Sequence, residues 1–258
     1  MPDNTLSSRA RRIDTQEAFM NHNNGNDLLY SYLLGASSYN PETNQVYLTP
    51  AKLKEISNAL MFVMNCGSKR SVNYQINKLV EAGLIKYDMV LINGANKRCM
   101  IFIQPERRFN LVLCDMLIYI ANTRNKLALR IYNYLLTGWK VAERSNRIFT
   151  FSIASIKRAL GYSGTSSSCD KIILDNLRSF ACEGIIHYEE RYILDDNNIP
   201  VPTKFLNYIA LSPKEVAANA NLPPDQEMKY TLAAEEKQAF NELLSYSGYG
   251  FCGDEEYS

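Results

Sequence analysis

Apolar residues in the first part of the chain recur at helical spacing, with short strand-like runs between them. The pattern predicts a helix from about Leu28, a strand at 46–48, and two helices that begin after Thr49 and Ser68. Thr49 is followed by Pro50, and a capping residue before proline is a typical helix start. Gly83 is expected to end the third helix as a left-handed cap. The apolar faces of these helices contain Leu28, Leu29, Tyr32, Leu33, Leu53, Ile56, Leu60, Val72, Ile76, Leu79 and Val80.

A β-hairpin is predicted directly after Gly83. Two apolar runs, at 84–87 and 99–103, flank the dipeptide Asn93-Gly94, which is a strong turn signal. We expect the loop to extend from Asn93 through Arg98, with Lys97 and Arg98 at its tip.

The second part of the chain repeats the same order of elements. It predicts a helix at about 126–141, a strand at 148–151, a helix capped by Ser152, a Ser/Gly linker, a further helix ending at Gly184, and a hairpin that turns at 195–198. Residues 46–56 correspond in kind to 148–160, and residues 76–87 correspond to 174–188. A repeat with a period of about 100 residues indicates two copies of one domain.

Helix, short strand, helix, helix and two-stranded hairpin is the element order of a winged helix. The sequence therefore predicts an α+β fold of two tandem winged-helix domains, mostly helical, with an acidic C-terminal tail. The expected divisions are a polar leader or arm at 1–27, the first domain at 28–110, the second at 111–212, and a tail at 213–258 with one possible helix. The apolar block at 111–120 is expected to bridge the domains as a buried helix or strand.

The net charge of +1 hides an asymmetry along the chain. Lys and Arg outnumber Asp and Glu by 13 to 9 in residues 1–112 and by 13 to 10 in 113–222, whereas residues 223–258 hold 2 against 8. A basic body suits a polyanion, because each cation placed on a phosphate releases counterions. An ordinary solvated surface would also fit this charge.

The third helix of the first unit carries the residue types that contact DNA. The first two helices of the motif present it to a major groove, and its N-terminal residues reach base edges. The candidates in the first unit are Ser68, Lys69, Arg70, Asn73, Tyr74, Asn77, Lys78 and, in the hairpin, Lys97 and Arg98. A generic polar helix face is the alternative.

The second unit offers a weaker set of candidates. Its third helix contains Ser167, Ser168, Lys171, Asn176 and Arg178. Acidic residues accompany them, namely Asp170 and Asp175 in the helix and Asp195 and Asp196 at the expected hairpin tip. This unit is expected either to bind DNA through its helix alone or to form a dimer surface.

Sequence signatures of an enzyme are missing. There is no phosphate-binding loop of the GxxxxGK[ST] kind and no CxxC pair, and the two histidines, His22 and His187, lack metal-ligand spacing. We therefore expect a non-enzymatic protein without cofactor or metal. No apolar run approaches 18 residues and no secretory signal is visible. Together with six scattered cysteines, which we interpret as reduced core residues, this predicts a cytoplasmic protein without membrane association.

The pattern resembles the iteron-type plasmid replication initiators, a family of tandem winged-helix proteins. The resemblance rests on residues 129–136 (LRIYNYLL), followed by Phe151-Ser152-Ile153 and the run Ala159–Tyr162, and it spans roughly 28–211. It implies binding to repeated origin sequences in double-stranded DNA, contact with a host helicase or helicase loader, and a homodimer that represses its own promoter. The acidic second hairpin and the N-terminal sequence of the first unit depart from the family pattern.

Three hypotheses follow for the function. The leading one is a plasmid or phage replication initiator that binds direct repeats. The first alternative is a transcriptional regulator with a palindromic operator, although the chain shows no separate effector domain. The second is a winged-helix assembly protein that binds other proteins and no DNA.

Overall fold

The computed structural model describes residues 9–15, 26–162, 167–194 and 200–220. It is an α+β structure, as predicted, and its contacts divide the chain into two compact units. The first unit holds the described residues up to Tyr134, with Ala159–Gly161 and Leu211–Pro213. The second holds Leu135–Arg158, Tyr162–Ala210 and the chain from Lys214. The division thus falls inside a helix, and not at 110/111 as expected.

The first unit combines helices with two antiparallel sheets. Its elements are β1 (Ala10–Asp14), α1 (Asp27–Gly35), β2 (Ser38–Asn40), β3 (Gln45–Leu48), α2 (Pro50–Glu55), α3 (Ser57–Val63), α4 (Lys69–Glu81), β4 (Ile85–Ile92), β5 (Ala95–Phe102), β6 (Phe109–Leu113) and α5 (Cys114–Asn122). The larger sheet has the strand order β2-β3-β5-β4, and β1 pairs with β6. Its core includes the buried side chains of Leu33, Leu60, Leu79 and Ile85.

The second unit repeats part of the order of the first, namely a helix, a short strand, helices and a hairpin, without counterparts of β1, β2, β6 and α5. Helix α6 (Ala128–Arg144) begins in the first unit and continues into the second. The remaining elements are β7 (Phe149–Phe151), α7 (Ile153–Ala159), α8 (Ser167–Cys182), β8 (Ile186–Leu194), β9 (Pro200–Ile209) and α9 (Pro213–Ala220). The strand order β7-β9-β8 matches that of β3-β5-β4 in the first unit. The turn expected at 195–198 and the helix expected in the tail lie outside the described residues.

Local capping chemistry starts the helices where the sequence predicted. The Thr49 side chain accepts a hydrogen bond from the backbone N–H of Lys52, and the Ser68 side chain accepts one from Ser71. Gly83 ends the turn after α4 with φ +72°, a value that glycine adopts at no steric cost. These predictions are confirmed.

Strand β1 corrects the expectation that residues 1–27 form a leader outside the first domain. Arg11 is buried there, and its guanidinium donates to the Ser37 carbonyl at 2.6 Å and to the Ser37 hydroxyl at 2.9 Å. Burial lowers the pKa of Arg11. The sequence reading missed this strand because a buried arginine looks like a surface charge until its hydrogen-bond partners are known.

A group of buried polar side chains holds the start of α6 within the first unit. Arg130 Nε donates to Asp27 Oδ2 at 2.7 Å, and both side chains are more than nine-tenths buried. The Asn133 amide donates to the Asp14 carbonyl at 2.8 Å and accepts from Asn110 at 2.9 Å. Helix α1, strand β1 and strand β6 therefore all bind α6 through polar contacts.

The apolar block at 111–120 forms the end of β6 and most of α5, both within the first unit. Helix α5 packs closely on α1, since a Cβ placed on Gly35 would lie 2.8 Å from the Cys114 carbonyl oxygen. No described helix is long and apolar enough to cross a membrane. The five described cysteines are free thiols, but only Cys99 and Cys169 are buried and Cys182 is exposed, so the core interpretation was wrong for Cys182.

Removing Asp27 should test the buried ion pair. We expect Asp27→Ala to lower the free energy of unfolding by about 3–5 kcal/mol, because the buried Arg130 charge loses the carboxylate that neutralises it. Glu55→Ala is the matched control. It breaks the exposed pair of Lys52 and Glu55 and should cost less than about 1 kcal/mol. Urea denaturation measures the free energy of unfolding of both variants. Equal losses of stability would contradict the assignment of Arg130 and Asp27 as a buried ion pair.

Gly138 in α6 should not tolerate a side chain. A Cβ there would lie 2.2 Å from ring carbons of Phe149, so Gly138→Ala should cost about 1–3 kcal/mol by overpacking. Phe149→Leu removes the clashing ring atoms. In a double-mutant cycle by thermal denaturation, the paired change should therefore lose less stability than the two single changes added together. If the stability losses of the two single variants simply add up in the double variant, the clash between residue 138 and the Phe149 ring is ruled out.

Candidate nucleic-acid interface

Helix α4 is anchored through one apolar side and leaves the other side exposed. Val72, Ile76 and Leu79 are buried at the spacing of one helical face. The exposed side carries five of the candidate residues, which we call the α4 face: Lys69, Arg70, Asn73, Tyr74 and Asn77. Spacings of three and four residues place them as neighbours on one surface. The structure therefore brings these predicted residues together.

The first turn of α4 is basic, which is unfavourable for the helix itself. The N-terminus of a helix carries a partial positive charge, so cations there cost roughly 0.3–1 kcal/mol each. Lys69 and Arg70 nevertheless occupy this turn, and no acidic residue accompanies them. The two charges therefore do not serve the stability of the helix.

Two predicted contact residues are engaged in local contacts. Ser68 caps α4, and its hydroxyl lies 3.0 Å from the Ser71 hydroxyl. Lys78 is paired with Glu81 at 2.7 Å, and its Nζ lies 5.6 Å from the centre of the Tyr74 ring. The hydrogen bond to Glu81 raises the pKa of Lys78. Ser68 and Lys78 thus contribute to the α4 face less directly than the five exposed residues.

The prediction of a long loop in the first hairpin is wrong. Asn93 and Gly94 have φ +51° and +77°, and Ile92 pairs with Ala95. Positive φ at both positions defines a two-residue turn whose twist matches the strands, and Asn-Gly favours that turn. Lys97 and Arg98 therefore lie within β5 and not at the tip.

Adjacent strand positions separate these two cations. Arg98 pairs with Met89, whereas Lys97 pairs with Val90, and neighbouring side chains of a strand point to opposite faces. The face of Arg98 continues to Phe102, whose ring lies 6.2 Å from that of Tyr30 in α1. Arg98 is thus on the helix side of the sheet, and Lys97 is on the other side.

The Arg98 face of the hairpin also exposes three large apolar side chains. Tyr87, Met89 and Leu91 alternate along β4 and are 43%, 53% and 50% exposed. We call them the hairpin stripe. The alternation is visible in the sequence, but without the structure nothing shows that the strand continues beyond the core.

An open groove of about 240 Å³ borders the N-terminal half of α4. Its lining is mainly apolar, from Leu53, Leu60, Val72 and Ile76, and includes Lys54, Lys69 and Asn73. Two residues of the α4 face are therefore accessible from this groove as well as from the outer surface.

The second unit presents a more balanced surface on α8. Ser167, Lys171 and Arg178 are exposed, but Asp175 is exposed between the two cations. Asn176 is buried, and its amide donates to the Ile172 carbonyl, so it cannot reach a ligand. The Ser168 side chain lies outside the described residues. The buried Lys157 pairs with Asp170 at 2.8 Å and links α7 to α8.

Acidic side chains on β8 are paired with cations. Glu190 pairs with Lys204 at 2.6 Å, and Glu189 pairs with Arg191 at 2.5 Å. The hydrogen bond from Arg191 lowers the pKa of Glu189. The acidic tip predicted from Asp195 and Asp196 lies outside the described residues. The described hairpin therefore offers no excess of positive charge.

No cluster of three His, Cys, Asp or Glu side chains in the described ranges could hold a metal. Comparisons with protein-family models, with curated proteins and with solved structures found no match. The interpretation of the α4 face rests on its geometry and charge.

The pairing of Lys78 should be visible in its chemical reactivity. A raised pKa leaves less of the unprotonated amine, so limited acetylation of Lys78 at a fixed alkaline pH should be slow. Glu81→Gln removes the acceptor charge and should speed the reaction, while acetylation of Lys69, in the first turn, should stay the same. Peptide mass spectrometry measures both sites, and an unchanged Lys78 rate would contradict the pairing.

Proposed function

We propose that each unit is a winged-helix domain and that the protein binds double-stranded DNA by inserting α4 into the major groove. The element order and the strand order of each unit, β3-β5-β4 and β7-β9-β8, support the fold assignment. In this arrangement α4 and α8 are the recognition helices, and the short helices α2 and α3 together take the place that α7 has in the second unit. The β4–β5 and β8–β9 hairpins are the wings.

The proposal rests on the exposed polar and basic residues of the α4 face. Lys69 and Arg70 can neutralise phosphates or read guanine, and Asn73 and Asn77 can read adenine. All four are exposed, and Lys69, Arg70 and Asn73 lie in the N-terminal half of the helix, the end that a winged helix presents to bases. The unfavourable placement of two cations at a helix N-terminus is explained if their partner is a polyanion.

The second unit has a different role in this proposal. Exposed Asp175 and the paired carboxylates of β8 would weaken contact with phosphates. We therefore assign it either an auxiliary contact through Lys171 and Arg178 or a homodimer surface. The first unit supplies the main DNA contact.

Within this class we favour a non-enzymatic plasmid or phage replication initiator, because the sequence resembles the iteron-type initiators. A host helicase or helicase loader would then be its further partner. A transcriptional regulator uses the same DNA-binding chemistry and differs in its site, which would be a palindrome and not a direct repeat.

A salt titration of binding to random duplex DNA, followed by selection from a random pool, tests the proposal. We expect affinity to fall steeply with salt. Lys69→Ala and Arg70→Ala should each weaken binding and reduce the salt slope by about one, the value for one lost phosphate contact. Selected direct repeats would favour an initiator, and a selected palindrome would favour a regulator.

Lys214→Ala is the matched control for these substitutions. Lys214 is exposed in α9, outside the candidate contact residues of both units, so its removal should leave the salt slope unchanged. If the full chain and a chain lacking 223–258 both fail to bind DNA at low salt, DNA binding is excluded. The assembly-protein alternative would then replace it.

A further inference from the structure

We propose that the open groove beside α4 binds the acidic segment 231–245 of the same chain, and that the bound segment competes with DNA for α4. We call this surface the α4 groove. The residues that carry the argument are Leu53, Leu60, Val72, Ile76 and the two lysines Lys54 and Lys69. The docking of the segment stands on its own, whereas its effect on DNA binding rests on the proposed function.

The proposed DNA contact leaves the apolar lining of the α4 groove unexplained. Phosphates and base edges are bound mainly by cationic, amide and hydroxyl groups, but the lining of this groove is mainly aliphatic. Leu53 remains partly exposed within it. An open apolar groove of this kind is the surface into which an amphipathic helix inserts its apolar side chains.

The charge of the α4 groove favours an acidic occupant. Lys54 and Lys69 are both exposed, and no acidic residue is among the described residues that line the groove. Residues 223–258 hold eight acidic side chains against two basic ones, whereas the remainder of the chain is net basic. This stretch is therefore the part of the chain whose charge complements the groove.

The order of residue types in the segment matches their order along α4. In α4, the cation Lys69 is followed three residues later by Val72, and both line the groove. In the segment, Glu236 is followed by Phe240 after four residues and by Leu243 after seven. These spacings place side chains on one face of a helix. A helical segment alongside α4 would therefore place its carboxylate at Lys69 and its apolar residues over the aliphatic lining.

The α4 groove has room for an aromatic side chain. Its volume is about 240 Å³, and an apolar cavity of about 150 Å³ holds a benzene molecule. Phe240 is the one aromatic residue between positions 231 and 245. We therefore assign Phe240 as the side chain that enters the groove.

A segment in the α4 groove would cover part of the proposed DNA contact. Lys69 and Asn73 line the groove and also belong to the α4 face. The major groove of B-DNA is about 12 Å wide and a helix with its side chains is about 10–12 Å across, so α4 cannot enter it with a second helix at its side. Binding of the segment and binding of DNA are therefore mutually exclusive.

Carbodiimide crosslinking of the full chain tests the docking without DNA. The reagent forms an amide bond between an amine and a carboxylate that are in contact, and peptide mass spectrometry identifies the joined residues. We expect monomeric products that join Lys54 or Lys69 to Glu236. Phe240→Ser should lower their yield roughly tenfold, the size expected when one apolar side chain loses its burial. Phe251→Ser, outside the segment, is the matched control and should leave the yield unchanged.

The DNA affinity of the same two variants tests the competition. Both variants keep the charge of residues 223–258, so a difference between them does not come from general repulsion between acidic residues and DNA. Phe240→Ser should raise the affinity for random duplex by up to about tenfold, because α4 is accessible in a larger fraction of the molecules. Phe251→Ser should bind like the unaltered chain.

The outcomes separate this inference from the proposed function. If the crosslinks are absent, or form equally well in Phe240→Ser, the docking is overturned, and the salt slopes of the Lys69 and Arg70 variants still decide DNA binding. If the products join two copies only, the segment of a second copy occupies the groove and the assignment within one chain fails.

Two further outcomes concern DNA. If Phe240→Ser loses the crosslinks but binds DNA with unchanged affinity, the competition is overturned. If the crosslinks respond as expected and none of the chains binds DNA, the docking stands and the proposed function fails.

Discussion

Burial of charge and amide groups at the start of α6 is the constraint on which the first unit depends. Arg130 and Asn133 are more than nine-tenths buried, so each needs partners to offset the loss of water. Asp27 supplies a carboxylate, and Asp14 and Asn110 supply a carbonyl and an amide from separate strands. These partners lie far apart in the chain, so α6, α1 and both strands must all be in place for every one of these groups to be satisfied.

This constraint changes the meaning of the LRIYNYLL run at 129–136. In the sequence this run is a helical pattern that combines one basic residue with aliphatic residues and tyrosines. In the structure Arg130 serves packing, and Tyr132 beside it is buried as well. The resemblance to the replication initiators therefore rests on a segment whose described contacts are structural, and the candidate interface lies elsewhere, on α4.

Local chemistry made much of the fold predictable. Thr49 and Ser68 are capping residues that mark the starts of helices, and Gly83 marks the end of one. The spacing of the apolar residues in α4 also predicts which face of that helix is exposed. The failures have separate physical causes. Arg11 is buried because its guanidinium donates to Ser37, a partner 26 residues away that the sequence does not identify. Asn176 is buried with its amide bonded to the Ile172 carbonyl one turn earlier in the same helix, so its polarity does not indicate exposure. The hairpin loop was misjudged for a different reason, since the preference of Asn-Gly for a two-residue turn outweighs the polarity of the residues that follow.

The pairing of Arg98 with Met89 limits how the hairpin can change in length. Because side chains alternate with a period of two, one extra residue in each strand between the core and this pair would move Arg98 to the outer face and bring Lys97 to the helix side. An insertion that lengthens the hairpin and keeps Arg98 on the same face must therefore add an even number of residues to each strand. Parity therefore decides which of the two cations lies on the helix side of this hairpin, and a single paired insertion would exchange Arg98 for Lys97 there.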